Sequence, residues 1–253
     1  MTRIPYEVCI DSVAGVIAAE AGGAQRVELC ADLFEGGVTP SIGTIEAAVR
    51  SRGSVRIHVL IRPRGGDFIY SPLEAGIMER DIEAAREAGA QGIVIGAVTP
   101  EGEIDRPAVE RLLAAARGLS TTFHRAFDMT ADPFGALDVL IELGFDRLLT
   151  SGQEASALEG SALIADLVRH AGDRLIIMPG GGVNERTVHR ILSETGCREF
   201  HATAFESEDS PARHRNLRAG MGGALSQEEY RRRGTSASLV ARMIAAAGAG
   251  GRA

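Results

Sequence analysis

The sequence predicts a single (β/α)8 barrel, on three observations. One unit recurs along the chain: a helix, a glycine, then a short apolar strand. It is seen in "AEAGGAQRVELC", "REAGAQGIVIGA", "IELGFDRLLTS", "RHAGDRLIIMP" and "SETGCREFHAT". Strands and helices alternate eight times with no linker or composition break, the pattern of a parallel sheet covered by helices. The chain has 253 residues, a common length for one α/β barrel. The competing architecture is an open doubly wound sheet. The turn after the first strand, "CIDSVAG", lacks the glycine-rich dinucleotide fingerprint associated with it.

Taken in order, the first strand is expected over 6–10, with a helix over 13–21 ending at Gly22. The second strand, 26–30, leads to a helix over 41–51. The third, 56–61, precedes a helix over 72–88. There Ser71-Pro72-Leu73-Glu74 supplies an N-cap, a proline at the first helical position and a capping-box glutamate, and Gly89 ends the helix. The fourth strand, 92–96, is followed by a helix over 107–117. The fifth, 120–124, is followed by a helix over 133–143, opened by Asp132-Pro133 and closed by Gly144. The sixth, 146–150, leads to a helix over 156–171 and Gly172. The seventh, 174–178, leads to a helix over 184–194 and Gly196. The eighth strand covers 198–202. A longer irregular stretch then precedes a last helix over 236–247. Each of the five named glycines sits where a helix C-terminus favours a left-handed residue. The barrel core is expected over about 5–205 and a C-terminal extension over about 206–253, all in one domain.

Composition removes several functions. The net charge of −7 argues against broad nucleic-acid binding. No apolar run approaches about 18 residues and no N-terminal signal pattern is present, so the expected location is cytoplasmic, with no membrane partner. Three cysteines do not make a disulfide framework and are read as reduced thiols. All 27 basic residues are arginine. Without a lysine amine, Schiff-base aldolase and pyridoxal-phosphate chemistry are excluded.

Strands buried on both faces normally read as continuous apolar runs. Several of these alternate instead. Glu7, Cys9 and Asp11 oppose Tyr6, Val8 and Ile10; Glu28 and Cys30 oppose Val27 and Leu29. His58, Leu60 and Arg62 oppose Ile57, Val59 and Ile61. Thr122 and His124 oppose Phe123, and Glu199 and His201 oppose Phe200 and Ala202. With the apolar set facing the helices, Glu7, Glu28, His58, Arg62, His124, Glu199 and His201 converge inside the barrel. Such a set is tolerable only if its members pair.

Barrel enzymes work at the C-terminal strand ends. Here those ends carry Arg62, Arg64 and Asp67, then Thr99, then His124, Arg125 and Asp128, then Thr150 and Ser151. Beyond them come Gly180, Gly181 and Gly182 with Asn184, and last His201 and Thr203. The glycine triplet precedes a helix, where backbone N–H groups bind anions. Arg62 is expected to point inward and bind an anion, either a neighbouring carboxylate or a ligand. The repeated "EVC" and "ELC" place Cys9 and Cys30 on neighbouring strands about 4.8 Å apart, a pairing that suits a soft ion such as Cu(I). Cys197 falls in a helix-to-strand turn and reads as structural.

"EVCIDS", "RVELCADLFEGGVTPSIG", "HVLIRPRGGDFIYS", "GIVIGAVTPEGEID", "TFHRAFDMT", "LLTSG", "IMPGGGVN" and "EFHATA" together resemble the CutC family, named for copper homeostasis. The resemblance covers about 5–205, and the tail, with "MGG" and "EEYRRRGTSA", is similar as well. It implies a TIM barrel, a cytoplasmic homodimer or higher homo-oligomer, and a role in copper tolerance or Cu(I) binding. Cys9 and Cys30 match the family's motif cysteines.

Two functional classes follow. In the first, Cys9 and Cys30 hold copper. In the second, a barrel enzyme of isomerase or lyase type acts on a small anionic or phosphorylated substrate. Arg62, Arg64, Arg125 and the Gly180–Gly182 loop then bind the anion. His124 or His201 serves as general acid or base, with Glu28 or Asp67 as partner. Arg231-Arg232-Arg233 reads as a solvated or subunit-contact surface.

Overall fold

The computed structural model describes residues 4–220 and 228–248. The "MGG" of the tail, 221–223, lies outside them. Eight parallel strands form the barrel: β1 (Tyr6–Ile10), β2 (Arg26–Leu29), β3 (Arg56–Leu60), β4 (Gly92–Ile95), β5 (Ser120–Phe123), β6 (Arg147–Thr150), β7 (Ile176–Pro179) and β8 (Phe200–Thr203). Neighbours in sequence pair from β1 to β7, and β8 returns to pair with β1. No hydrogen-bonded ladder joins β7 to β8 among the described residues. The ring is nearly closed.

The helices are α1 (Val13–Gly22), α2 (Ile42–Ser51), α3 (Pro72–Glu87), α4 (Arg106–Ala115), α5 (Pro133–Glu142), α6 (Ser161–Ala171), α7 (Val188–Thr195) and α8 (Ala237–Gly248). Local chemistry sets their starts. Ser71 and Glu74 complete the capping box of α3, and the Asp132 side chain accepts from Phe134 N–H ahead of Pro133 in α5. The apolar strand faces pack on these helices in one continuous core that includes Tyr6, Val8, Ile57, Val59, Phe123 and Phe200. No helix among the described residues is long and apolar enough to cross a membrane.

Four expectations need correction. Helix α6 starts at Ser161 and not at 156, and α7 starts at Val188 and not at 184. In each case the preceding turn is held by its own hydrogen bonds, such as Ala157 N–H to Gly181 O and Asn184 N–H to the Thr187 hydroxyl. The glycine triplet therefore does not lead directly into a helix N-terminus. Gly22 does not cap α1; Gly23 does, at φ 93°. Gly22 is small because a Cβ there would lie 2.5 Å from Val240 of α8.

The tail is not irregular throughout. Strands β9 (Phe205–Asp209) and β10 (Arg231–Thr235) form an antiparallel pair. Arg231 stands opposite Asp209 and Arg232 opposite Glu208, so opposite charges face each other across the ladder. Arg233 instead stacks over Phe34, in the loop after β2.

Candidate functional site

Each inward-facing polar side chain is placed by the two-residue period of its strand. At the lower level Glu199 accepts from Arg26 Nη2 at 2.6 Å and from Arg147 Nε at 2.9 Å. Arg147 also donates to the Ser120 hydroxyl at 2.9 Å. One level up, Arg26 Nε bonds Glu7, whose other oxygen lies 2.9 Å from His201 Nδ1. His201 Nε2 is 3.7 Å from Glu28, and His58 Nδ1 is 4.0 Å from Glu7.

Burial works against ionising Glu7, but Arg26 and then His201 outweigh it and hold the carboxyl below its ordinary range. The same contest is won by Arg26 and Arg147 at Glu199. Burial opposes the charge on His201 too, yet Cys9 and Glu7 raise its pKa well above the ordinary imidazole value. His58 goes the other way. Burial pushes it down to about 4, so its ring is neutral at pH 7. Charges therefore meet opposite charges inside the barrel, as burial of such groups requires.

Next to His201 stand the thiols. Register pairs Cys9 with Glu28, and Cys30 follows one step beyond β2. The two sulfur atoms are 3.8 Å apart. Cys9, Glu28 and Cys30 each offer a ligand atom, all within 4.8 Å of one another and all buried. The hydrogen bond from Cys30 lowers the Cys9 thiol to about 6, with His201 assisting against burial. Burial, and then the neighbouring Cys9, raise both Glu28 and Cys30 well above their ordinary values. Of the trio, Cys9 is the group whose ionised form the surroundings favour, with His201 beside it.

A sign-specific result follows for Glu28. A carboxyl with a raised folded pKa keeps its proton in the native state while the unfolded chain loses it above about pH 4.3. Stability then falls as pH rises through that window. Metal-free Glu28→Gln is expected to be more stable than wild type at pH 8, with the gap closing toward pH 4. Urea titrations at the two pH values check this; a gap of equal size at both would contradict it.

The C-terminal strand ends hold the remaining residues in two groups. Arg62 points inward, but its partners are not carboxylates. It donates to the carbonyls of Glu35 (2.6 Å), Gly37 (2.8 Å) and Gly66 (2.8 Å), and its guanidinium carbon lies 5.0 Å from the Phe68 ring centroid. It ties the loop after β2 to the loop after β3. His124 also packs against Phe68, with ring centroids 4.9 Å apart. Burial, then Arg62, push the His124 pKa down to about 3. Gly92 and Gly96 make room for the rings of His58 and His124: a Cβ at either glycine would come within 2.5 Å of its histidine.

The second group centres on Asp128. It accepts from the Thr150 hydroxyl, the Ser151 and Gln153 N–H groups and Arg125 Nε. Arg125 also reaches the Ser151 hydroxyl at 2.7 Å, and Gly181 passes close beneath its guanidinium. Gly180 lies between Leu149 and His201, where a Cβ would not fit, and Gly182 continues the turn at φ 70°. Arg64 and Asp67 stand apart from both groups. They pair with each other at 3.1 Å near the surface, and Arg64 also binds Glu74 at 2.6 Å. Of the two arginines it is Arg64, not Arg62, that takes carboxylate partners.

Four participants escaped the sequence reading. Arg26 was legible, since it shares the face of Glu28 and Cys30 by alternation. Arg147 starts β6 on the same face as Leu149, but the apolar "RLLT" hides it. Gly92 and Gly96 bracket "IVI" and carry no sign that histidines on neighbouring strands need their space.

Comparison with known proteins agrees with this architecture. Residues 4–206 match the CutC family. A CutC family protein of Bacteroides thetaiotaomicron is 50% identical over 246 residues, covering 97% of this chain and 99% of that one. The human protein named copper homeostasis protein cutC homolog is 47% identical over 234 residues, covering 92% and 85%. The crystal structure of the putative copper homeostasis protein CutC from Streptococcus agalactiae superposes with a TM-score of 0.76 at 38% identity, covering 79% of this chain and 98% of that one. Thiamine phosphate pyrophosphorylase from Pyrococcus furiosus, 14% identical with a TM-score of 0.56, shares the fold alone. With most of its length matched and half its residues shared with a relative, this chain belongs to the CutC family.

Proposed function

We propose that the protein binds one Cu(I) ion between Cys9 and Cys30. The observation that carries this reading is the 3.8 Å separation of the two sulfur atoms inside the barrel. Soft thiolate ligands select Cu(I). Leu33, Leu60 and Val94 pack around the thiols and form an apolar shell. Glu28 offers an oxygen within reach of both sulfurs. The names of relatives, among them the human copper homeostasis protein cutC homolog, point the same way. A reducing setting such as the cytoplasm would suit this reading, since Cu(I) binding needs Cys9 and Cys30 as free thiols, the state in which they stand.

Ligation requires thiolates. Cys9 already has a lowered pKa, whereas Cys30 must release a proton when the ion binds. Copper affinity should therefore rise with pH above neutrality. An anaerobic competition titration against a Cu(I) chelator tests the assignment. Wild type should take one equivalent, and a Cys9→Ser/Cys30→Ser variant with an intact melting transition should take none. Unchanged stoichiometry in the variant would remove these cysteines as ligands.

A further inference from the structure

The two thiols are sealed from solvent: Cys9 is 6% exposed and Cys30 1%. A metal donor, or any thiol reagent, has to touch sulfur, so part of their surroundings must move. Leu60 and Val94, which pack on the thiols, stand on strands β3 and β4 inside the barrel sheet. Leu33, packed on the same cluster, stands on a loop. Ala31 and Val38 exchange hydrogen bonds of 2.9 and 2.8 Å and close the base of that loop. Residues 32–37 form the excursion between them and contain a single 3-10 turn, Leu33–Glu35. Gly37 runs against Cys30, where a Cβ would lie 3.4 Å from Sγ. Phe34, Glu35 and Gly36 are exposed. The loop therefore has the thiols on one side and solvent on the other.

The excursion bends at left-handed positions: Asp32 at φ 45°, Gly36 at φ 80° and Gly37 at φ 93°. Glycine takes this conformation freely, whereas Asp32 is held there at a cost that the closed loop must offset. Its fastenings come from outside. Arg62 donates to Glu35 O at 2.6 Å and Gly37 O at 2.8 Å. From β10 the Arg233 guanidinium carbon lies 5.5 Å from the Phe34 ring centroid. The Glu35 side chain lies against Gly65, where a Cβ would collide with it.

We infer that residues 32–37 are a lid over Cys9 and Cys30, latched by Arg62 and Arg233, whose opening exposes the thiols while the barrel stays folded. A few loop positions between fixed ends are enough to absorb such a motion. The copper reading supplies the lid's purpose, since an ion reaching the pair has to pass it. The motion itself is measured without metal.

The metal-free protein is alkylated with N-ethylmaleimide in water and in urea below the unfolding transition. Labelling of Cys9 is timed by peptide mass spectrometry. Cys197, just before β8 at the other end of the barrel, is the internal reference. In wild type, Cys9 labelling should depend little on urea, because a local opening exposes little surface. Leu33→Ala removes the side chain that covers the thiols and should speed Cys9 labelling about tenfold or more, with Cys197 unchanged. Arg233→Ala, at an exposed position, should speed it about two- to fivefold. A Cys9 rate in wild type that follows urea as steeply as global unfolding does would overturn the inference. So would equal acceleration of Cys9 and Cys197 in Leu33→Ala, or a folded Leu33→Ala that labels Cys9 at the wild-type rate. Labelling needs no copper, so failure of the copper reading leaves this result standing.

Discussion

Glu7→Gln is expected to lower the stability of the metal-free protein by about 3–5 kcal/mol, the usual cost of breaking a buried charge pair on one side. For a chain of this size that is a fall of roughly 6–20 °C in melting temperature. Glu7 is fully buried and shared by Arg26 and His201. Glutamine offers one acceptor oxygen and no charge, so Arg26 is left with Glu199 and the imidazolium of His201 loses its nearest counter-ion. The pH dependence has a definite sign. A carboxyl held below its ordinary range contributes stability that is present above the unfolded value, about 4.3, and is lost as pH falls through the folded value. The deficit of the variant should therefore be full at pH 7 and shrink as pH drops below 4. Thermal and urea unfolding between pH 3 and 7 measure it. A deficit independent of pH would mean that shape, not charge, is what Glu7 supplies.

Arg62→Met is expected to cost about 3–5 kcal/mol, for a reason different from the one its sequence suggests. Each hydrogen bond from a charged donor contributes about 1.5–3 kcal/mol, and the three carbonyl bonds do not add fully. Methionine keeps some apolar contact with Phe68. The loss should be local as well as global. Hydrogen exchange should speed up in the loop carrying Glu35 and Gly37 and in the loop carrying Gly66, the segments that Arg62 joins. A melting temperature within a degree of wild type, with both loops still protected, would show that the clamp contributes little.

The eightfold alternation, the capping box at Ser71 and Glu74, and the polar alternation of β1, β2, β3, β5 and β8 were all visible in the sequence. Each is a local signal: a helix cap is written within four residues and a strand face within every second one. The same alternation placed Glu7, Cys9, Glu28, Cys30, His58, His124 and His201 on the inner face. The β9–β10 pair was not legible, because 21 residues separate Asp209 from Arg231 and only folding brings those charges opposite each other.

What the sequence determined by itself is the barrel, its order of elements and which side chains point inward, since periodicity and capping act over short stretches. What only the tertiary structure decided is who meets whom inside. Arg62 could have faced a carboxylate or a carbonyl, and loop closure gave it three carbonyls while Arg64 took Asp67 and Glu74. Cys9 and Cys30 could have been separated by register, and the parallel pairing of β1 with β2 brought their sulfurs into contact. His201 could have been an ordinary imidazole, and its place between Glu7, Glu28 and Cys9 favours its charged form. Partner choice in a low-dielectric interior depends on distances of a few ångströms between strands far apart in the chain. No spacing within a strand encodes those distances.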